Sequence, residues 1–257
     1  TTRRAILYDI VGPERIDNAM ALESLSMAGG LAFGALAGGA VVDAVGVGPA
    51  IWLVGFLLTG SLALFSTIRV PTRSMPGGSA RGAFREGFGL LRTQKRLVSI
   101  LGVTACVNFF YFTYTPLVQV IGSDLGARPA LIGLLASMTG FGMMIASLAT
   151  ARFRPRRRGL VYTLGAFFAL LLLLPFAASG TYLLAMLCLL GAAVGGGFFG
   201  ALQGVLVMTV VPAEIRGRAL GLLSMAIGVL PIGMLLLGEL AERIGTRQAL
   251  AASAGCG

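Results

Sequence analysis

The chain has 257 residues, of which 56% are hydrophobic and 12% charged, about half the charged share of an ordinary soluble domain. With a mean hydropathy of +0.90 it lacks the polar residues to cover a water-exposed surface, so an integral membrane protein is expected. The net charge of +10 would suggest nucleic acid in a soluble chain, but the basic residues sit in short loops between apolar runs. They read as membrane topology, and no nucleic-acid partner is expected.

A bilayer crossing takes about 20 mostly apolar residues, coiled as a helix so that every backbone polar group is satisfied. In chain order such runs cover residues 19–42, 48–68, 97–121, 130–151, 159–178, 182–211 and 219–241, and an eighth begins near 248. The chain starts at Thr1 and stops inside that eighth run, so it reads as a piece of a longer protein.

The first run holds GGLAFGALAGG, with Gly30, Gly34 and Gly38 on one helical face and Gly39 beside them. Lipid is as apolar as leucine, so small residues rather than burial draw membrane helices together. This face is expected to be a close helix contact, either static or sliding. Gly196, Gly200 and Gly204 repeat the spacing in the run 182–211. Glu23 is the one acid well inside an apolar run. It either carries protons or reaches the interface to pair with an arginine.

Residues 69–96 open with PTRSMPGGSARG, a flexible piece, and continue as AFREGFGLLRTQKR. Phe84, Phe88 and Leu91 fall on one face there, which predicts either a short amphipathic helix on the membrane surface or a solvated linker helix. In the run 97–121, Thr104, Asn108, Tyr111, Thr115 and Gln119 recur at steps of 4, 3, 4 and 4 and so share a face. Pro116 has no N–H and leaves the carbonyl of Phe112 free, which allows a kink. The run 182–211 adds Gln203 and the aromatic pair Phe198 and Phe199.

The loops alternate in charge. Arg3, Arg4, Arg15, the basic residues of 69–96, the turn RFRPRRR (152–158), Arg216 and Arg218 make 17 of the 20 basic residues. Only Arg128, Arg243 and Arg247 fall on the other side. By the positive-inside rule the rich loops are cytoplasmic. An enzyme is not expected. There is no histidine, the cysteines (Cys106, Cys188, Cys256) are far apart, the acids are scattered, and the single lysine, Lys95, follows Gln94 in no phosphate-binding loop.

A shift of 199 residues lays PERIDNAMALESLSMAGGLAFGALAGGAVVDAVG on PAEIRGRALGLLSMAIGVLPIGMLLLGELAERIG without a gap. Pro13 meets Pro212, and Gly29, Gly34, Gly39 and Gly46 meet Gly228, Gly233, Gly238 and Gly245. Both copies begin in a basic loop and lie six spans apart. The repeat is therefore parallel, as in one large class of transporters.

These stretches resemble the major facilitator superfamily. GGLAFGALAGG is similar to its helix-5 antiporter motif gxxxGPxxGG, with Ala35 in place of the proline. PAEIRGRALGLL is similar to the loop into helix 11, and FREGFGLLRTQKRL and LIGLLASMTGFGMMIASL to the drug and siderophore exporters of the macrolide-efflux and enterobactin-exporter type. The turn ATARFRPRRRG keeps the basic cluster of the family's 8–9 loop and lacks its aspartate.

The resemblance implies an all-α membrane fold of twelve helices in two parallel six-helix repeats. Residues 1–68 would hold helices 5 and 6, residues 69–96 the cytoplasmic linker between halves, and residues 97–257 helices 7 to 11 and the start of 12. It further implies a secondary active transporter in the bacterial inner membrane, working by alternating access. The proton gradient would drive it without a cofactor, and it would be monomeric and bathed in membrane lipid. Its small-molecule substrate would be drug-like or siderophore-like. A lysophospholipid or lipid transporter and an uptake carrier are the alternatives. As helices 7 and 10 of such a fold line the cavity, Asn108, Tyr111, Thr115, Gln119 and Gln203 become candidates for contact with substrate, or else bond neighbouring helices. An aromatic, weakly polar cavity suits amphipathic cargo.

Overall fold

The computed structural model describes residues 16–67, 94–153, 155–212 and 215–257, without side-chain detail for residues 16–24 and Phe65. Among the described residues it is helical, with no strand. The helices are α1 (Ile16–Val45), α2 (Val47–Thr67), α3 (Lys95–Phe110), a 3-10 turn (Phe112–Tyr114), α4 (Leu117–Asp124), α5 (Pro129–Phe153), α6 (Arg158–Ala177), α7 (Tyr182–Val210), α8 (Arg216–Ile227), α9 (Leu230–Ile244) and α10 (Thr246–Cys256). Seven stretches among the described residues are long and apolar enough to cross a membrane, with α3–α4 and α8–α9 each counting as one interrupted span. The limits of the helices that form them fall within three residues of the seven runs read from hydropathy. The amphipathic helix expected within 69–96 lies outside the described residues, except for positions 94–96 at the start of α3.

The bundle is held by backbones that approach at small residues. Helix α7 is the centre. A Cβ at Gly195 would stand 2.6 Å from the carbonyl oxygen of Gly165 on α6, and one at Gly142 of α5 would stand 2.5 Å from Ala193 Cβ on α7. Helix α1 lies along α5 in the same manner. A Cβ at Gly39 would be 2.6 Å from Gly133 Cα, and one at Gly140 would be 2.5 Å from Ala32 Cα. Approach this close is what lets dispersion and weak backbone contacts hold helices where no hydrophobic force separates them from lipid.

Among the described residues, Gly39 makes the close approach of α1, whereas Gly30, Gly34 and Gly38 are exposed and meet no described atom within 4 Å. The buried positions are Ala28 and Ala32, roughly a third of a turn away around the helix. Alanine is small enough for the approach and costs the helix nothing, whereas glycine costs about 1 kcal/mol. Of the second glycine series, Gly196 packs against the ring of Tyr111, and Gly200 and Gly204 have open space.

The 199-residue repeat reappears in the backbone. Helix α1 shifted by 199 covers residues 215–244, the extent of α8 and α9. Each copy ends at a single residue with positive φ, Gly46 at 83° and Gly245 at 91°, and a new helix starts at the next position. An L side chain is strained there, which accounts for glycine at both places.

The helix ends place the basic residues. Arg152, Arg158, Arg216 and Lys95 stand at one end of the bundle, because consecutive spans alternate in direction. At the other end Tyr182 donates to the Leu131 carbonyl (2.7 Å). There Arg247 donates from Nη1 to the carbonyls of Ala177 (3.2 Å) and Ser179. Its cation thus serves carbonyls that the end of α6 leaves unpaired.

Candidate functional site

Where α3, α6 and α7 meet, polar side chains cluster in an apolar interior. Thr104 and Asn108 on α3 and Tyr162 on α6 are buried, and Gln203 reaches in from α7. Tyr162 Oη donates to the carbonyl of Ile100 (3.0 Å). The Thr104 hydroxyl, 2.9 Å from Tyr162 Oη, must then give its own proton to that oxygen. Gln203 Nε2 donates in turn to Thr104 Oγ1 (3.3 Å). The result is a directed chain from Gln203 through Thr104 and Tyr162 to a carbonyl that still serves α3. Asn108 Nδ2 donates to the Thr104 carbonyl (2.8 Å). Its Oδ1 has no partner among the described residues, although the residue is only 5% exposed. A buried acceptor left in that state costs about 1–3 kcal/mol.

Aromatic rings run outward from this cluster. Tyr162 stacks on Phe199 (centroids 4.8 Å apart, planes at 22°). Phe199 faces Phe112 (6.3 Å), Phe112 meets Tyr111 edge-on (4.8 Å), and Tyr111 meets Tyr114 (5.1 Å). The two phenols are tied down, with Tyr111 Oη donating to the Ala192 carbonyl on α7 (2.9 Å) and Tyr114 Oη bonded to Thr139 Oγ1 on α5 (3.0 Å).

The row bends because α3 stops at Phe110. The chain passes through the 3-10 turn and resumes at Leu117, one residue past Pro116. The break is lined with substitute donors. The Phe112 carbonyl, which Pro116 cannot serve, accepts from Thr115 Oγ1 (3.0 Å). The Phe110 carbonyl accepts from Thr113 Oγ1 (3.2 Å) and from Ser253 Oγ on α10 (3.1 Å). Such replacement is what permits irregular backbone at membrane depth.

The five-residue polar stripe is accordingly divided. Thr104, Asn108 and Tyr111 face the interior, whereas Thr115 and Gln119, beyond the break, are exposed. Asn108 and Gln203 meet through Thr104, and Tyr111 uses its hydroxyl on a neighbouring helix. Glu23 lies in α1, and its side chain falls outside the described residues. Sequence reasoning missed Tyr162 and Thr139. Tyr162 had a usable signal, as the only phenol in a span whose one other polar side chain is Thr163. Thr139 had none, since threonine in a membrane helix commonly bonds its own backbone.

Residues 1–233 match the Major Facilitator Superfamily, and the chain belongs to that family. Its all-helical architecture of seven membrane-length spans is part of the family's fold, and the protein is a multi-pass membrane protein. Among curated proteins it is similar to the uncharacterized MFS-type transporter YfiS of Bacillus subtilis (strain 168), at 27% identity over 93% of this chain. The chain spans 60% of that relative's length.

Proposed function

We propose that the chain is part of a secondary active transporter rather than an enzyme, one that exports an amphipathic, drug-like or siderophore-like molecule in exchange for protons moving down their gradient. Family membership and the relative described as a transporter support the broad class. The observation that carries the finer reading is the buried Asn108 Oδ1, without a partner among the described residues and one helical turn from the Thr104 that bonds Tyr162, where the aromatic row begins. A cargo with a hydrogen-bond donor and an apolar or aromatic body satisfies the acceptor and stacks on the rings. Thr115 and Gln119, exposed beyond the helix break, extend the lining. In this reading Tyr111 is a wall held in place by Ala192. Glu23 is the proton carrier, as the acid that lies well inside an apolar run. The arginine-rich turns face the cytoplasm of a bacterial cell.

The test is dye efflux by the full-length gene product in inverted vesicles under an imposed pH gradient. Asn108→Leu and Gln203→Leu should lower initial rates about tenfold at unchanged membrane level, the effect of about 1.4 kcal/mol per lost contact. Glu23→Gln should abolish gradient-driven accumulation and leave downhill exchange intact. Wild-type rates in all three variants would overturn the site assignment. Accumulation that ignores the pH gradient in the wild type would overturn proton coupling.

A further inference from the structure

We infer that the outer side of α5, α6 and α7 binds one anionic phospholipid of the leaflet next to the turn between α5 and α6. A trough of about 590 Å³ runs there with an apolar lining. Its floor is α7 at Gly191 and Gly195. Val161, Phe168 and Leu172 of α6 form one wall, and Ile145 of α5 stands in the other. The trough follows from the packing already described. Gly165 and Gly195 bring the backbones of α6 and α7 together, and the side chain of Leu172 lies over Gly191 at one end of the floor. Leu170, which packs toward α10, is on another side of α6.

Depth and charge select the occupant. From Val161 to Leu172 the helix rises roughly 16 Å at 1.5 Å per residue, about half of a 30 Å hydrocarbon core. That is the reach of one acyl chain from one leaflet. The trough begins one turn inside Arg158, where Arg156, Arg157 and Arg158 are all exposed. Arg152 occupies the last turn of α5 beside them. A phosphodiester on the arginines with its tail in the trough satisfies both features. A zwitterionic headgroup satisfies only the second, because its own ammonium opposes the arginines.

The experiment reconstitutes the chain in phosphatidylcholine vesicles. These are doped with phosphatidylglycerol or phosphatidylcholine carrying a diazirine in the acyl tail, irradiated, and mapped by peptide mass spectrometry. Phosphatidylglycerol should label residues of 145–172 and 187–198 at least about fivefold more than phosphatidylcholine does, the preference expected of one arginine near an anionic lipid. The triple substitution R156Q/R157Q/R158Q lies on the exposed surface and should reduce labelling to the phosphatidylcholine level. Ile145→Trp should block the trough to both lipids. Equal labelling by the two lipids means ordinary boundary lipid and overturns the inference. So does a triple variant that keeps the preference, and so does a trough that neither lipid labels.

Discussion

The two copies of the internal repeat solve the same packing problem with opposite residues. Position for position, Gly34 corresponds to Gly233 and Gly39 to Gly238. In α1 the tight glycine is Gly39, pressed on Gly133, while Gly34 has open space. In α9 the tight glycine is Gly233, where a Cβ would lie 2.5 Å from the Phe109 carbonyl, and Gly238 has open space. The partner explains the exchange. Helix α1 runs unbroken along the regular helix α5, whereas α8 and α9 pack on the interrupted α3 and its 3-10 turn. The second copy is itself interrupted, with Pro231 where α1 has Ala32. A proline at position 32 could not donate its helical hydrogen bond, in a segment that needs a straight backbone against Gly140. Equivalent sequence positions thus do not imply equivalent contacts. The neighbouring helix decides which glycine is needed.

The sharpest way to break this comparison is a crossed pair of substitutions. Gly39→Leu and Gly233→Leu should each destabilise the chain by about 3 kcal/mol or more, because the atoms in the way are backbone and cannot rotate aside. Gly34→Leu and Gly238→Leu should stay within about 0.5 kcal/mol. Thermal melting of detergent-solubilised protein by size-exclusion chromatography reads all four, and equal losses at Gly34 and Gly39 would refute the assignment of faces. A smaller effect is expected in the polar cluster. Thr104→Val and Tyr162→Phe should each cost about 1 kcal/mol, with the double variant costing less than their sum because both cut one chain of hydrogen bonds. Additive losses in the same melting assay would mean that the two hydroxyls act separately.

At the end of the repeat, Arg247→Gln should cost about 1–2 kcal/mol by withdrawing a cation from the Ala177 and Ser179 carbonyls. Hydrogen exchange at the α6 C-terminus should rise with it. The smallest effect belongs to the exposed pair at the end of α9, where Arg243 Nη2 lies 2.6 Å from Glu239 Oε1. Arg243→Gln should change stability by less than about 0.5 kcal/mol, and less still at high salt.

Hydropathy was enough to find the spans, because a run that must cross a bilayer has to be apolar throughout, and each helix limit lies within three residues of its run. The repeat was legible for the reason that made it hard to dismiss: Gly46 and Gly245 share a backbone conformation that other residues resist. Helix faces were not legible in the same way. Around α1 both Gly30–Gly34–Gly38 and Ala28–Ala32 are rows of small residues, and only the position of α5 chooses between them. The stripe on α3 failed as a single face because periodicity assumes one continuous helix. Pro116 announced a kink, but the Phe110 carbonyl where α3 stops is served by Ser253, 143 residues away. Tyr162 was visible as a polar residue in an apolar span, and its partnership with Thr104 across 58 positions was not.

The single-residue joints at Gly46 and Gly245 also carry a stereochemical consequence. A φ of 83° or 91° is unfavourable for an L-amino acid and comfortable for its mirror image. D-alanine placed at either joint by chemical ligation would fit the observed backbone and restrict the unfolded chain, whereas L-alanine would work against both helices it connects. At these two points the membrane bundle depends on the achirality of one residue, and a synthetic chain could replace that achirality with the opposite hand.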